Sequence, residues 1–217
     1  GAHSCALRPN GLVACWGSNT TGALGNGTTF DSMEPAAVAN LADATQITAG
    51  SAHTCARRAN GHIVCWGSNS AGQIGDGTTT GRAQPTAVAR VIDALEVRAG
   101  VDHVCARTRG GPVVCWGGNA DGQLGDGTTT QRLTPVTAAF SGTHAGLAVG
   151  AGFTCVKLLS GVVSCWGRNA DGELGSGAAV LSLPYTLTLA PGDRFGIEVY
   201  TTGGTVQVPG GLRVVVR

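Results

Sequence analysis

Residues 53–78 read His-Thr-Cys-Ala-Arg-Arg-Ala-Asn-Gly-His-Ile-Val-Cys-Trp-Gly-Ser-Asn-Ser-Ala-Gly-Gln-Ile-Gly-Asp-Gly-Thr, and the pattern returns every fifty residues along the chain. Two cysteines, a tryptophan and a glycine-rich run keep this period in four copies. The cysteine columns are Cys5, Cys55, Cys105 and Cys155, then Cys15, Cys65, Cys115 and Cys165. A period of roughly 20 to 50 residues is typical of solenoids, propellers and arrays, whose units pack against their neighbours.

The two cysteines of each copy flank a predicted hairpin turn. Residues 53–57 and 63–66 suit short strands, and the Asn60-Gly61 pair between them is a turn signal. A three-residue loop, 59–61, with its glycine in the left-handed conformation, places the two cysteines directly opposite each other. Glycine occupies that column in all four copies. The pattern therefore predicts an antiparallel hairpin with paired cysteines in each repeat.

Side chains on both faces of this hairpin are largely apolar. Because they alternate along a strand, the cysteines share a face with Ile63, whereas Ala56 and Trp66 lie on the other. Such a sheet is buried between like sheets, and strands near residues 47–49 and 86–88 complete four per repeat. We therefore predict an all-β protein, a β-propeller built of four-stranded blades.

The repeats also set the predicted domain boundaries. The repeat domain covers residues 1–180, as copies 1–50, 51–100, 101–150 and a partial copy 151–180. Residues 181–217 lack cysteine and tryptophan but carry strand-like runs at 197–200, 205–208 and 212–216. This tail is either a degenerate fifth repeat that caps the array or the start of another β-domain, and atypical terminal repeats favour the cap.

Composition excludes several classes of function. The net charge is +1, and only 12% of the 217 residues are charged, so a basic surface for nucleic acid is not expected. The hydrophobic fraction, 42%, is sufficient for a core, and no apolar run approaches the roughly 20 residues needed to span a bilayer. With no charged-then-apolar leader, we expect a soluble, already processed chain without membrane insertion.

The glycine-rich run at residues 69–78 resembles a phosphate-binding loop only superficially. A phosphate loop occurs once and opens a helix, whereas this run recurs in every copy and precedes extended, proline-bounded segments. It is interpreted as a compact structural loop, and no cofactor is expected.

The combined repeat is similar to that of the regulator of chromosome condensation family. Ala-Gly-x-x-His-Thr, a glycine turn, and Cys-Trp-Gly-x-Asn-x-x-Gly-Gln-Leu-Gly-Asp-Gly-Thr carry the resemblance over residues 1 to about 180. It implies seven-bladed propellers with varied activities: guanine-nucleotide exchange on a small GTPase, β-lactamase inhibition by a secreted bacterial member, and protein-interaction modules. Fold does not settle function among these. Four clear copies imply a fragment, or a ring completed by other residues, and the chain looks most like the secreted bacterial type.

The cysteines favour disulfides within each repeat. Directly paired strand residues have Cβ atoms about 4.5–5.5 Å apart, close to disulfide range. Each bridge would add roughly 2.8 kcal/mol in the chain-entropy model. Such bridges persist in oxidising compartments, so we expect a secreted, periplasmic or surface location. A zinc site of His53, Cys55 and Cys65 is the alternative, but Phe153 replaces the histidine in the fourth copy and no fourth ligand recurs.

Partner-binding residues are expected where the copies differ. One zone surrounds the histidine column, and the resemblance places it on a binding face; the other follows the glycine-rich run, where exposed Phe, Met and Arg suit an interface. The candidates are His3, His53, Asp102, His103, Phe153, Phe30, Met33, Arg82 and Arg132. An alternative for His3 and His53 is a hydrogen bond to a neighbouring backbone group at the blade edge.

No catalytic constellation is apparent in the sequence. Each Ser, His or Asp in a repeated column has near-copies, and Asp102 and His103, adjacent in a strand, point to opposite faces. We expect a non-enzymatic, extracellular module that binds another protein. The alternatives are a structural array or adhesin-like scaffold, a metal-dependent or hydrolytic enzyme, and an exchange factor, whose intracellular setting conflicts with disulfides. An incomplete ring would also allow oligomers.

Overall fold

The computed structural model describes residues 2–140, 142–174 and 185–188. All regular elements in these ranges are β-strands, and none of these residues forms a helix that is long and apolar enough to cross a membrane. The predicted tail, residues 181–217, lies outside the described residues apart from one strand at 185–188, so its capping role stays a prediction.

The strands form four antiparallel sheets, called blades 1 to 4 in chain order. Blade 1 contains β1 (His3–Leu7), β2 (Val13–Gly17) and β3 (Ser32–Ala37). Blade 2 contains β4 (Ala44–Ala49), β5 (His53–Arg58), β6 (Ile63–Gly67) and β7 (Arg82–Ala87). Blade 3 contains β8 (Ala94–Ala99), β9 (His103–Thr108), β10 (Val113–Gly117) and β11 (Arg132–Thr137). Blade 4 contains β12 (His144–Val149), β13 (Phe153–Leu158), β14 (Val162–Gly167) and β15 (Tyr185–Thr188).

Each blade is a meander in which sequential strands are neighbours. The first strands of blades 2, 3 and 4, which are β4, β8 and β12, pack against one another from blade to blade. They are called the inner strands. The predicted four-stranded repeat is therefore confirmed in blades 2 to 4, whereas blade 1 has three described strands and no inner strand among them.

The predicted cysteine register is confirmed in all four hairpins. Cys5 pairs with Cys15, Cys55 with Cys65, Cys105 with Cys115 and Cys155 with Cys165. The turn of blade 2 has the predicted three-residue loop, closed by the Arg58 N–H donating to the His62 carbonyl at 2.8 Å, with Gly61 at φ +83°.

Blade 3 departs from the predicted turn. There the left-handed residue is Gly110, at φ +64°, and not Gly111 of the glycine column. Pro112 follows Gly111, and a residue before proline is pushed into the extended region. The left-handed position therefore moves one residue toward the N-terminus, and the Thr108 hydroxyl donates to the Pro112 carbonyl at 2.8 Å.

The apolar core lies between the blades, as the two-sided pattern predicted. Blade 1 contributes its disulfide face and blade 2 its tryptophan face to the first cluster, and the arrangement repeats between blades 2 and 3 and between blades 3 and 4. The first cluster contains Val13, Cys15, Leu24, Val38, Leu41, Ala44, Ala56, Val64 and Trp66. The tryptophan-bearing side of a blade, called its leading face, packs on the preceding blade in blades 2 to 4. The disulfide-bearing side, called its trailing face, packs on the next blade in blades 1 to 3.

The connections between strands gather at two ends of the blades. Turns 50–52, 100–102 and 150–152 lie at the same end as the long loops 18–31, 68–81 and 118–131. This end is called the loop face. The hairpin turns 8–12, 59–62 and 109–112 lie at the opposite end, the hairpin face.

Candidate interaction face

A buried asparagine organises each long loop of the loop face. Asn69 accepts the Ile74 N–H through its side-chain oxygen at 2.9 Å, and its amide donates to the carbonyls of Thr78 and Thr80, both at 3.0 Å. Asn19 and Asn119 make the same bonds in their loops. The glycine-rich run is therefore a compact loop held from inside, as interpreted from the sequence.

The long loops are also fixed to the next blade. The Trp66 indole N–H of blade 2 donates to the Ala23 carbonyl of the blade 1 loop at 2.8 Å. Trp116 and Trp166 donate in the same way to the carbonyls of Gln73 and Gln123, at 2.9 and 3.0 Å. Since these bonds are buried, the long loops of blades 1 to 3 are each fixed to the blade that follows.

Arg82 and Arg132, two predicted contact residues, form ion pairs inside their own loops. Arg82 binds Asp76 at 2.6 Å, and Arg132 binds Asp126 at 2.7 Å. Burial alone would raise the pKa of the Asp76 carboxyl, but hydrogen bonds from Thr78 and Arg82 outweigh it and lower that pKa below its usual value. Both arginines are half-buried and stabilise their own loops, and their contact with a partner stays a prediction.

The histidine column lies beneath the loop face. His53 and His103 are 0% exposed, whereas His3 is half-buried. His3 Nε2 lies 2.8 Å from the Thr54 hydroxyl of the next blade, and His103 Nε2 lies 3.1 Å from that of Thr154. The alternative expectation of a backbone partner is not met for His3, since its partner is a side-chain hydroxyl.

His53 lacks the partner that His3 and His103 have. Neither of its ring nitrogens has a hydrogen-bond partner among the described residues, because Val104 occupies the column of Thr54 and Thr154. Burial lowers the pKa of His53 to about 4, with the charge of His3 adding to the effect. Burial and the neighbouring His53 likewise lower the pKa of His103 to about 3. Both imidazoles are therefore neutral at pH 7 and below the surface, where they support the loop face.

Asp102 does reach the loop face, in the turn between β8 and β9. Its carboxylate lies against Gly118, and a Cβ added there would overlap it. The same column holds Ser18, Ser68 and Arg168 in the other copies, so only blade 3 leaves room for this carboxylate. Sequence reasoning missed Gly118, although its departure from the column was a visible signal.

Burial is the main influence on the Asp102 carboxyl. Burial raises the pKa of the Asp102 carboxyl and the charge of Asp121 raises it further, while a hydrogen bond from Gln123 opposes both. Val101, beside Asp102, is 46% exposed, and the equivalent residues of blades 2 and 4 are Ser51 and Ala151. Blade 3 therefore presents an apolar side chain next to a carboxylate that no other blade presents.

Phe30, Met33 and Phe153 complete the predicted contact set. Phe30 is 80% exposed, and its carbonyl accepts a hydrogen bond from the Asn19 amide at 3.0 Å. Its backbone is therefore held in place while its phenyl ring is exposed to solvent. Met33 is 96% exposed on β3, at the leading face of blade 1, whereas Phe153 is half-buried at the start of β13. Asp102 lies in the turn before β9 and not in the strand itself, as the sequence had suggested, so it reaches the loop face while His103 lies buried beneath it. Phe30 and Met33 belong to blade 1.

The eight cysteines form the four predicted disulfides, Cys5–Cys15, Cys55–Cys65, Cys105–Cys115 and Cys155–Cys165. The sulfur atoms of the alternative zinc site are thus bonded to each other. Within residues 2–140, 142–174 and 185–188, no group of three His, Cys, Asp or Glu side chains is arranged to hold a metal ion.

Comparison of the sequence with protein families identifies the repeat. Residues 10–57 and 60–107 match the family described as Regulator of chromosome condensation (RCC1) repeat, and residues 44–73 and 96–123 match a second family of the same description. A comparison with curated proteins gives no match. The fold and these matches define a β-propeller protein. The chain belongs to the RCC1 repeat family.

Solved structures agree with the fold. Human WBSCR16 superposes with a TM-score of 0.74 at 23% identity, over 86% of this chain and 50% of that one. Prp20p from Saccharomyces cerevisiae gives 0.70 at 20% identity, over 88% and 49%. The ectodomain of the Physcomitrella patens receptor kinase CR4 gives 0.51 at 26% identity, over 76% and 38%. The chain therefore spans half, or less, of the length of these structures.

Proposed function

We propose that this protein is a non-enzymatic extracellular module that binds another protein through its loop face. The observation that carries the proposal is the contrast between a constant scaffold and a variable surface. The asparagine and tryptophan bonds recur from blade to blade, whereas the exposed residues above them change. A rigid platform with differing surface side chains is suited to recognition, because little ordering entropy is lost on binding.

The disulfides support an extracellular location. Four bridges in one chain persist where the environment is oxidising and are rare in the cytosol. The similar CR4 structure is the ectodomain of a receptor kinase, so this type of propeller also occurs outside cells. Both observations favour secretion, the periplasm or the cell surface.

A protein partner suits the surface better than nucleic acid does. The net charge of +1 supplies no basic field for phosphates. Prp20p, which shares the fold, has binding properties to Gsp1p and histones, both of them proteins. By analogy we assign a protein partner to this chain, with Val101 and Asp102 at the contact.

A site-specific crosslink tests the assigned face. A photoreactive phenylalanine at Val101 or Phe30 samples the loop face, and the same residue at Leu12 or Leu159 samples exposed positions at the hairpin face. With the extracellular fraction of the source organism, we expect one crosslinked protein from the loop-face positions, lost on adding Asp102→Arg. Equal crosslinking from Leu12 and Leu159, or none from Val101 and Phe30, contradicts the proposed face.

Thiol alkylation tests the location independently. Protein isolated from its natural compartment is alkylated without reduction, and its intact mass is measured. We expect no alkylated cysteine. Eight free thiols would overturn the extracellular assignment and favour an intracellular role such as nucleotide exchange, which a GTPase release assay then measures directly.

A further inference from the structure

Two asparagines of the chain lie in the pattern Asn-x-Ser/Thr, which accepts an N-linked glycan in secreted proteins. The two triplets are Asn19-Thr20-Thr21 and Asn26-Gly27-Thr28, and both belong to the long loop of blade 1. The pattern is short enough to occur by chance. The surroundings of the side-chain nitrogen, Nδ2, therefore decide whether either asparagine can carry a sugar in the folded protein.

The Asn19 amide is not available for a glycan. Its side chain is 0% exposed, and its Nδ2 donates hydrogen bonds to the carbonyls of Thr28 and Phe30, both at 3.0 Å. A sugar on this nitrogen would replace one of the two amide hydrogens and would need space that a buried side chain lacks. A glycan on Asn19 is therefore incompatible with the fold.

The Asn26 amide has the opposite orientation. Its Oδ1 faces into the loop, where it accepts the Thr28 N–H at 3.1 Å and the Thr28 hydroxyl at 2.9 Å. The Asn19 amide also approaches this oxygen, at 3.4 Å. Because all three groups donate, they specify which end of the Asn26 amide is the oxygen. Asn26 is half-buried, and no group among the described residues accepts a hydrogen bond from its Nδ2.

Blade 2 shows what normally covers this position. Asp76 occupies the column of Asn26, and one of its carboxylate oxygens accepts the Thr78 N–H at 3.0 Å, as the Asn26 Oδ1 does in blade 1. Its other oxygen binds Arg82 at 2.6 Å. Blade 3 repeats this arrangement in its own loop. Asn26 thus has a nitrogen where the aspartates have the oxygen that binds arginine.

Blade 1 has no arginine at this point. Ser32 occupies the column of Arg82 and Arg132, and its hydroxyl donates to the Glu34 carbonyl at 2.7 Å. The side chains of Arg82 and Arg132 are 36% and 35% exposed although another blade precedes each of them, so the space that they fill reaches the solvent. In blade 1 this space is open, and the Asn26 Nδ2 faces it.

We propose that Asn26 is an N-glycosylation site, which carries an oligosaccharide on the loop face of blade 1. The donor is a polyprenyl-diphosphate-linked oligosaccharide. The bond between the Asn26 Nδ2 and C1 of the first sugar forms, the bond between C1 and the diphosphate oxygen breaks, the lipid diphosphate leaves, and the amide proton passes to the transferase. The inference rests on the extracellular location proposed above, because such transferases modify exported chains.

The glycan would lie in a different part of the loop face from the proposed contact. Asn26 belongs to the long loop of blade 1, whereas Val101 and Asp102 lie in blade 3. A glycan at Asn26 therefore leaves the residues assigned to partner binding free.

Mass spectrometry of the protein from its natural source tests the site. The peptide that contains both asparagines is fragmented with its glycan still attached, so the modified residue is located whatever the sugar is. We expect a glycan at Asn26 and none at Asn19 in the folded protein with its disulfides intact.

Two variants expressed in the same source form a matched pair. Asn26→Asp removes the acceptor nitrogen but keeps the oxygen that accepts from Thr28, as in blades 2 and 3, so the glycan should be lost from a protein that still folds. Thr21→Ala removes the pattern around Asn19 and introduces the residue that blade 2 has as Ala71. The glycan should remain on this variant. Circular dichroism establishes that both variants fold.

The possible failures are distinguishable. An unmodified Asn26 in protein whose four disulfides are intact would overturn this inference and leave the extracellular module in place. A glycan on Asn19 of the folded protein, or one that Thr21→Ala removes and Asn26→Asp does not, would contradict the choice of acceptor. Eight free thiols would overturn the proposed location itself, and this site with it.

Discussion

The Ala23 carbonyl of blade 1 accepts two hydrogen bonds from blade 2, from the Trp66 indole at 2.8 Å and from the Thr54 hydroxyl at 2.9 Å. The Gln123 carbonyl accepts the same pair from Trp166 and Thr154, at 3.0 and 2.9 Å. A single loop carbonyl is thus one polar joint between neighbouring blades, and it adjoins an apolar cluster. Since each repeat buries its faces only against its neighbours, we expect these joints to contribute to the stability of the array.

Trp66→Phe should destabilise the protein more than Trp16→Phe. Trp66 is buried and loses both its hydrogen bond and part of its packing, for a cost of about 2–3 kcal/mol in the free energy of unfolding. Trp16 is half-buried and has no hydrogen-bond acceptor among the described residues, so the same change should cost less than about 1 kcal/mol. Urea unfolding with the disulfides intact measures both values. Equal losses would show that the indole bond adds nothing to the joint.

Val104→Thr should stabilise the joint between blades 2 and 3. Because the Thr54 and Thr154 hydroxyls donate to loop carbonyls, they accept from the Nε2–H groups of His3 and His103. A threonine at position 104 would donate to the Gln73 carbonyl in the same way and accept from His53, whose ring nitrogens now lack partners. We expect a gain of about 1 kcal/mol in urea unfolding.

The reverse change is the control for that gain. Thr154→Val removes the partner of His103 and should cost about 1–3 kcal/mol, because a buried donor is then left unsatisfied. A destabilising Val104→Thr together with a neutral Thr154→Val would contradict the role assigned to this column.

Much of the fold could be predicted from the sequence because the repeat is regular. The ten-residue spacing of Cys55 and Cys65 specifies the hairpin register, and alternation from there assigns Ala56 and Trp66 to one face. The left-handed residue of blade 3 could not be predicted in this way, because Pro112 forces the preceding Gly111 into an extended conformation and Gly110 takes its place.

Less of the candidate interaction face could be predicted from the sequence, because the burial of its side chains depends on the neighbouring blades. His53 and His103 suggested surface contact residues, yet the blade that follows covers both rings. Arg82 suggested an exposed contact, but Asp76, six residues earlier, binds it within the loop. Asp102 was recognised from its uniqueness among the copies, whereas its contact with Gly118 required the fold.

Acid should destabilise the protein through His53 and His103. Burial holds the pKa of His53 at about 4 and that of His103 at about 3, below the value of 6.5 of an unfolded histidine. Unfolding therefore takes up protons below pH 6.5, and the unfolding free energy, constant above that pH, should fall by about 1.4 kcal/mol per pH unit for each histidine. Urea unfolding between pH 7.5 and 5 measures this slope.

Phenylalanine is the matched replacement in that experiment, since Phe153 occupies the column in blade 4. His53→Phe should halve the slope, and the double variant with His103→Phe should remove most of it. A slope that stays unchanged in the double variant would place the proton uptake elsewhere.

Asp102→Asn should separate partner binding from stability. Burial and the charge of Asp121 raise the pKa of Asp102 above its unfolded value, so its negative charge disfavours the folded state at neutral pH. The amide removes that charge while keeping the size of the side chain and its place against Gly118. The variant should be equal to the parent or more stable by less than about 1 kcal/mol at pH 7, since the site is partly solvated. This difference should vanish as the pH falls below the unfolded aspartate pKa.

Crosslinking from Val101 in the Asp102→Asn variant should nevertheless weaken, because the carboxylate that distinguishes blade 3 is gone. Gly118→Ala should weaken it too, by displacing the carboxylate, and Ser68→Ala, in the same column of blade 2, is the control. If both blade 3 variants are stable and crosslink as the parent does, then Asp102 has no part in the interface.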